Sequence, residues 1–225
     1  RSPNSTARVS STAMTSAHAT ARRAELFDQL VALLLSEGFA HLTLDEIAAR
    51  LRCSKSTLYT LAGSKEQLVR AATVHFFRGA TERVEASLTS VRGTTERLTA
   101  YLSAVGVALE PASRQFMEDL AAFPPAREVY EQNTAFAAKR VQELIDDGAS
   151  AGDVRSVHAA FVADVAASTM ARIQTREVSE RTGLDDSQAY AELAALLTTG
   201  ITGTTGVTGP PRAAAARSAP ARPRS

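Results

Sequence analysis

Apolar residues recur every three to four positions through most of the chain, the period of helices with one buried face. Leu26, Phe27, Leu30, Leu33 and Leu34 share one such face and predict a helix over about 22–36, stopped at Gly38. Thr43, followed three residues later by Glu46, is a capping box. It opens a short helix that buries Ile47, Ala48 and Leu51 and ends near Arg52-Cys53. Ser54 caps another short helix, 55–61, with Leu58 facing inward, and Gly63 breaks it. Ser64 with Gln67 reads as a second capping box, ahead of a long helix through Leu68, Ala72 and Phe76 to about Leu88. Further helices are expected at about 95–109, 112–122, 126–147, 156–179 and 187–200, separated at Gly93, Pro111, Pro124-Pro125, Gly148/Gly152 and Gly183. Nine helices and no strand define an all-α fold class.

The two ends break this pattern. Residues 1–20 hold nine Ser/Thr and no apolar period, so disorder is expected there. Residues 202–225 pass through Gly203, Gly206, Gly209, Pro210 and Pro211 into Ala and Arg-Pro runs, and are read as a disordered basic tail. Between them, 21–66 form one unit of three helices and 67–201 a larger helical bundle.

Composition narrows the chemistry. Aromatics make up 5% of the 225 residues and Trp is absent, so the core must be aliphatic and Ala-rich, in keeping with helix. A single Cys excludes a disulfide framework and a Cys-based zinc site. No apolar run reaches the roughly 18 residues that cross a bilayer, and no secretory pattern stands at the amino end. A cytoplasmic chain without a membrane partner is expected.

The net charge of +1 is unevenly spread. Residues 71–201 carry twelve basic against eighteen acidic side chains. The first twenty residues have two Arg and no acid, and residues 202–225 four Arg and no acid. An acidic body with basic ends suits a protein whose parts meet different partners, although solvated surface is the plainer reading. His18, His41, His75 and His158 have no ligand spacing, so no metal and no cofactor is expected. No nucleophile elbow, Gly-rich phosphate loop or HExxH is present. Asp146-Asp147 and Asp185-Asp186 are paired acids near helix ends, where solvated charge explains them. An enzyme is not expected.

Two short helices joined by a tight turn, with a first helix packed across them, describe a helix-turn-helix unit. The second short helix must present polar side chains to a major groove and a small apolar back to its neighbours. Lys55, Ser56, Thr57 and Thr60 can face outward while Leu58 faces in. Thr43, Tyr59 and Lys65 flank that helix, where phosphate oxygens would lie. Lys65 also stands at a helix amino end, which favours phosphate.

At these residues the sequence resembles the DNA-binding domain of TetR/AcrR-type regulators. The match runs closely over about 22–75. Ser54-Lys55-x-Thr57-Leu58-Tyr59, followed by Ser64-Lys65-Glu66-x-Leu68, carries most of it, with a weaker echo at Ala151-Gly152-Asp153-Val154-Arg155. The resemblance implies a homodimer with an amino-terminal three-helix DNA-binding domain and a carboxy-terminal regulatory and dimerisation bundle. Double-stranded DNA would be its partner, with base edges read by Lys55, Ser56, Thr57 and Thr60, and phosphates held by Thr43, Tyr59 and Lys65. It further implies a repressor released from a pseudo-palindromic operator by a small molecule. The alternative is a DNA-binding regulator without an inducer, controlled by a protein partner. Phe116, Met117, Phe123, Tyr130, Phe136 and Met170 are candidate ligand-pocket residues, with ordinary core packing as the competing reading. Ala159, Ala163, Ala167, Ala194 and Leu197 are candidate dimer-interface residues on the last two long helices.

The chain departs from the family pattern in three places. Arg52 stands where Gly is usual in the inter-helix turn, a substitution costing about 1 kcal/mol if the backbone there is left-handed. Ala62 replaces an aromatic, which should loosen packing after the recognition helix. Thr60 and Leu61 leave fewer groups to read bases.

Overall fold

The computed structural model describes the backbone of residues 6–202 and the side chains from residue 20 onward. The basic tail beyond residue 202 and the first five residues lie outside this range. Ten helices are present among the described residues, with no strand: α1 Thr6–Glu37, α2 Leu44–Arg50, α3 Lys55–Tyr59, α4 Lys65–Leu88, α5 Thr94–Leu109, α6 Arg114–Ala122, α7 Pro124–Ala151, α8 Ala159–Gln174, α9 Glu177–Thr182 and α10 Asp186–Thr202. None of the described helices is long and apolar enough to cross a membrane.

Local chemistry explains most boundaries. The Thr43 side chain accepts from the Glu46 N–H, and the Glu46 carboxylate accepts from the Thr43 N–H at 2.7 Å, so the capping box closes in both directions. These bonds also hold the Glu46 carboxyl below its usual range. Ser54 and Ser64 cap α3 and α4 by accepting from Thr57 and Gln67. The second box differs from expectation, because the Gln67 side chain accepts from Gly63 N–H at 3.0 Å rather than from Ser64. Gly38 ends α1 with φ of +79°, a conformation that favours glycine.

Five boundaries correct the sequence reading. Helix α1 begins at Thr6, so part of the segment expected to be disordered is helical. Helix α3 ends at Tyr59 instead of continuing to 61, and Thr60 and Leu61 close a tight turn by bonding to the carbonyls of Thr57 and Leu58. Pro124 and Pro125 start α7 rather than separating it from α6, since their missing N–H groups cost nothing in a first helical turn. Gly148 sits inside α7 because Thr94 packs where its side chain would be. The helix expected over 156–179 divides at Arg176, whose φ of +65° splits α8 from α9.

Two apolar clusters hold the molecule together. One gathers Leu30, Leu34, Phe39, Leu42, Ile47 and Leu58 with Leu68, Phe76 and Phe77 of α4 and Phe116, Met117 and Leu120 of α6. The other joins the distal half of α4, from Ala80 to Leu88, to α5, α7, α8 and α10. Helix α4 therefore belongs to both. Helix α6 belongs to the amino-terminal cluster, and its Asp119 carboxylate accepts from the backbone N–H groups of Phe39 and Ala40. The Ala151–Arg155 loop ties the bundle ends: Thr94 Oγ1 donates to Asp153 at 3.0 Å and Arg155 N–H to the Ile201 carbonyl at 2.9 Å.

Candidate nucleic-acid interface

Helix α3 is held by its back. Leu58 is fully buried against α1 and α2, which leaves Lys55, Ser56, Tyr59 and Thr60 on the surface and Thr57 half-buried. The five-residue helix stands out from the protein on a single apolar anchor. All seven residues assigned to DNA contact lie on α3, at its carboxy-terminal cap or at the starts of α2 and α4 around it.

Their present bonds say how free each is. The Ser54 hydroxyl lies 2.8 Å from that of Ser56 and 2.7 Å from that of Thr57, a small hydroxyl network at the helix start. Thr60 Oγ1 donates to the Thr57 carbonyl at 2.6 Å. The Lys55 ammonium pairs with Asp45 at 3.0 Å, which raises its pKa and places a carboxylate between it and an incoming base. Lys65 Nζ donates to the Ala40 carbonyl at 3.3 Å. Thr43 Oγ1 donates to Glu46 at 2.8 Å. Tyr59 is 48% exposed, far more than a residue wedged against α1 would be.

Three further cations escaped the sequence reading. Arg22, Arg23 and Arg52 border an open groove of about 680 Å³ between α1 and the α2–α3 turn, whose other walls include Ser54, Thr57 and Thr60. None of the three forms an ion pair among the described residues, whereas Arg50 pairs with Glu37. A sequence signal existed for Arg52: a bulky side chain at a left-handed turn position, here φ +50°, is retained against backbone strain. Cys53 is half-buried in that turn, packed against the amino-terminal cluster.

The candidate pocket residues separate. A cavity of about 40 Å³ lies between α4, α5, α7 and α8, and of the six candidates Phe136 and Met170 line it. Phe116 and Met117 do not; they are buried in the amino-terminal cluster, where Phe116 packs edge-on against Phe39 and Phe76. Phe123 packs on that same cluster. Tyr130 lies beside Phe77 and reaches the cavity wall only through its hydroxyl, which donates to Gln174 at 2.9 Å. Tyr101, Glu85 and Gln174, which the aromatic-weighted reading passed over, line the cavity.

The candidate interface residues are also redistributed. Ala159, Ala163 and Ala194 are buried in the chain's own core, Ala167 borders the cavity and Leu197 packs on the bundle. Their small size lets α8 and α10 lie close to their neighbours within the chain. The outward faces instead carry Phe161 at 66%, Val165 at 39% and Leu196 at 70% exposure, large apolar groups left in water. Of the paired acids, Asp185 caps α10 by accepting from Gln188 N–H at 2.8 Å, and Asp186 pairs with Arg176.

An exposed helix on a single apolar anchor, ringed by hydroxyls and cations and carried by a long helical bundle, has the form of a helix-turn-helix DNA-binding unit. Comparison with known proteins specifies which kind. Residues 26–72 match the model of bacterial regulatory proteins of the tetR family. None of the curated proteins matches the chain. Among solved structures, a protein from Saccharomonospora viridis described as a transcriptional regulator in complex with choline is 17% identical, with a TM-score of 0.69 over 81% of this chain and 98% of that one. A TetR-family protein from Rhodococcus sp. is 17% identical, with a TM-score of 0.65 over 78% and 96%. The ketosteroid transcriptional regulator KstR2 of Mycobacterium tuberculosis is 20% identical, with a TM-score of 0.58 over 81% and 96%. Residues 26–72 are thus similar to the tetR-family DNA-binding domain, and the solved structures, at 20% identity or below, share the all-helical fold of the chain.

Proposed function

We propose that the chain is a homodimeric repressor that binds a pseudo-palindromic operator and leaves it when a small molecule occupies the cavity between α4, α5, α7 and α8. The observation that carries this reading is the continuity of α4. It starts at Lys65 beside α3 and packs in the amino-terminal cluster through Phe77, and its Ala80, Thr81, Val84 and Glu85 then wall the cavity. A shift of the distal half is passed to the DNA-binding unit without an intervening hinge. Two recognition helices must sit about one helical turn of DNA apart, roughly 34–36 Å, so a small change of tilt costs one half-site. A ligand that prefers one arrangement by a few kcal/mol is enough to shift the population. That two neighbours are described with choline and as a ketosteroid regulator supports a ligand site in this fold.

In this reading Lys55, Ser56, Thr57 and Thr60 meet base edges, with Lys55 exchanging Asp45 for a base. Thr43, Tyr59, Lys65, Arg22, Arg23 and Arg52 meet phosphates. Two subunits join through Phe161, Val165 and Leu196. A second reading, control by a protein partner without an inducer, is favoured by one observation, the small volume of the cavity.

The test is anisotropy titration on a duplex recovered from a random pool. Thr57→Ala and Lys55→Ala are expected to weaken that duplex about tenfold while leaving random DNA unaffected, since a good base contact is worth roughly 1–3 kcal/mol. Arg22→Ala, Arg23→Ala and Arg52→Ala are expected to weaken both DNAs and lower the salt slope by about 1 each. Equal loss on both DNAs for the α3 variants would contradict the assignment of α3 to base reading.

A further inference from the structure

The cavity's chemistry is more selective than its size suggests. The charged side chain on its wall is Glu85, and both Glu85 oxygens are taken by Arg140, at 2.8 and 3.1 Å. An anionic ligand would face a carboxylate with no free cation beside it. A cationic ligand would find that carboxylate already engaged. Either would leave water for a wall of Val84, Val105, Ala108, Leu109 and Met170 without a partner for its charge.

The polar groups on the wall are not equally satisfied. Gln174 accepts from Tyr130 at 2.9 Å and donates to Tyr190 at 3.2 Å. Asn133 accepts from Thr81 at 3.3 Å. Tyr101 is 3% exposed, and its hydroxyl has no hydrogen-bond partner among the described residues. No fully enclosed side-chain nitrogen or oxygen is without a partner among those residues. The Tyr101 hydroxyl is therefore not fully enclosed, and Tyr101 lines the cavity. Burial, with Glu85 nearby, pushes its ionisation above the ordinary phenol range, so it remains a donor at neutral pH.

Beside this cavity lies an outer trough of about 380 Å³, where Val74, Phe77 and Val129 offer apolar surface together with the charged Arg70, Arg78 and Glu82. Phe136, Thr81 and Asn133 line both spaces. Phe136 is 48% exposed, so its ring can swing outward and join them. The inner volume of about 40 Å³ suits a carbonyl-sized head group, since on the same measure one water needs roughly 10–15 Å³.

We propose that this site takes a neutral, elongated apolar molecule bearing one carbonyl-type acceptor, the acceptor bonded to the Tyr101 hydroxyl and the tail lying past Phe136 in the trough. The proposal rests on the repressor reading for its regulatory consequence, while binding itself can be measured without DNA. Calorimetric titration of the full chain would use 2-nonanone, octanoate and heptyltrimethylammonium, which share a heptyl tail and differ in head group. The ketone is expected to bind at least tenfold more tightly than either ion. Tyr101→Phe is expected to weaken ketone binding about fivefold, the value of one neutral hydrogen bond. Phe136→Trp, at a half-exposed position that tolerates substitution, is expected to slow ketone association severalfold with thermal stability unchanged. Tighter binding of either ion, equal ketone affinity in Tyr101→Phe, or no binding by any of the three would overturn the proposal. DNA titration of the same preparations separates the two readings. A chain that binds an inverted repeat but no ketone fails this proposal alone, and one that binds ketone but no DNA fails the repressor reading.

Discussion

Arg52 occupies the left-handed region at φ +50°, where glycine would sit without strain. Arg52→Gly should therefore stabilise the fold by about 1 kcal/mol while weakening DNA binding through the lost cation. Denaturant titration and salt-dependent DNA binding on the same variant would show the opposing signs, and loss of stability would contradict the strain argument. The position's importance was visible in the sequence because the turn needed a glycine and had none. The groove that Arg52 shares with Arg22 and Arg23 was not visible, since it forms between residues some thirty positions apart.

Tyr101 and Tyr190 make a second residue-scale prediction. Burial raises both phenols above their ordinary range. A raised folded pKa means the unfolded chain loses its protons first, so the stabilising contribution is complete below about pH 10 and declines as pH rises beyond it. Stability should fall above pH 10 by up to about 1.4 kcal/mol per pH unit for each phenol. Denaturation midpoints at pH 8 and pH 11 would reveal this, and the double variant Tyr101→Phe, Tyr190→Phe should flatten the difference. An equally steep decline in that variant would assign the effect to other groups.

At the scale of elements, α6 is the least legible piece. Its apolar residues are those of any amphipathic helix, so the pattern did not say which of two cores it joins. Asp119 decides it. The buried carboxylate accepts from Phe39 and Ala40 N–H and from the Gln115 side chain, fastening α6 to the α1–α2 connection. Asp119→Ala strands two backbone donors and should cost about 3 kcal/mol. Hydrogen exchange at the Phe39 and Ala40 amides should quicken selectively; unchanged protection there would mean that this tie is dispensable. Helices α1, α2 and α4 were readable because their caps and stops are local. The division of α8 from α9 was not, because nothing in the neighbouring residues demands a positive φ at Arg176.

The outer faces of α8 and α10 raise a related point. The sequence shows small residues on several faces of α8, but spacing alone does not say which face meets a neighbour within the chain. The alanines are taken up inside, and Phe161, Val165 and Leu196 remain in water. Phe161→Glu and Leu196→Glu should give a helical monomer in sedimentation velocity, with affinity for an inverted repeat reduced at least a hundredfold. A persistent dimer would place the contact elsewhere.

At the scale of the molecule, one helix joins two cores that do different work. The amino-terminal core holds α3 outward, and the distal core encloses a cavity lined by Tyr101 and Glu85. The DNA-binding half was legible because its function lies in short, local signals such as capping residues, an anchor leucine and bracketing cations. The distal half was legible only as helices, since a cavity is made by what several distant segments leave unfilled.

The central claim is that two copies of this recognition unit read DNA together. Selection of bound duplexes from a random pool, at physiological salt with competitor DNA, tests it most directly, because phosphate contacts alone give binding that is blind to sequence and weakens steeply with salt. Enrichment of an inverted repeat whose half-sites lie about one helical turn apart is expected. Recovery of no motif, or of a single half-site by a folded chain, would contradict it.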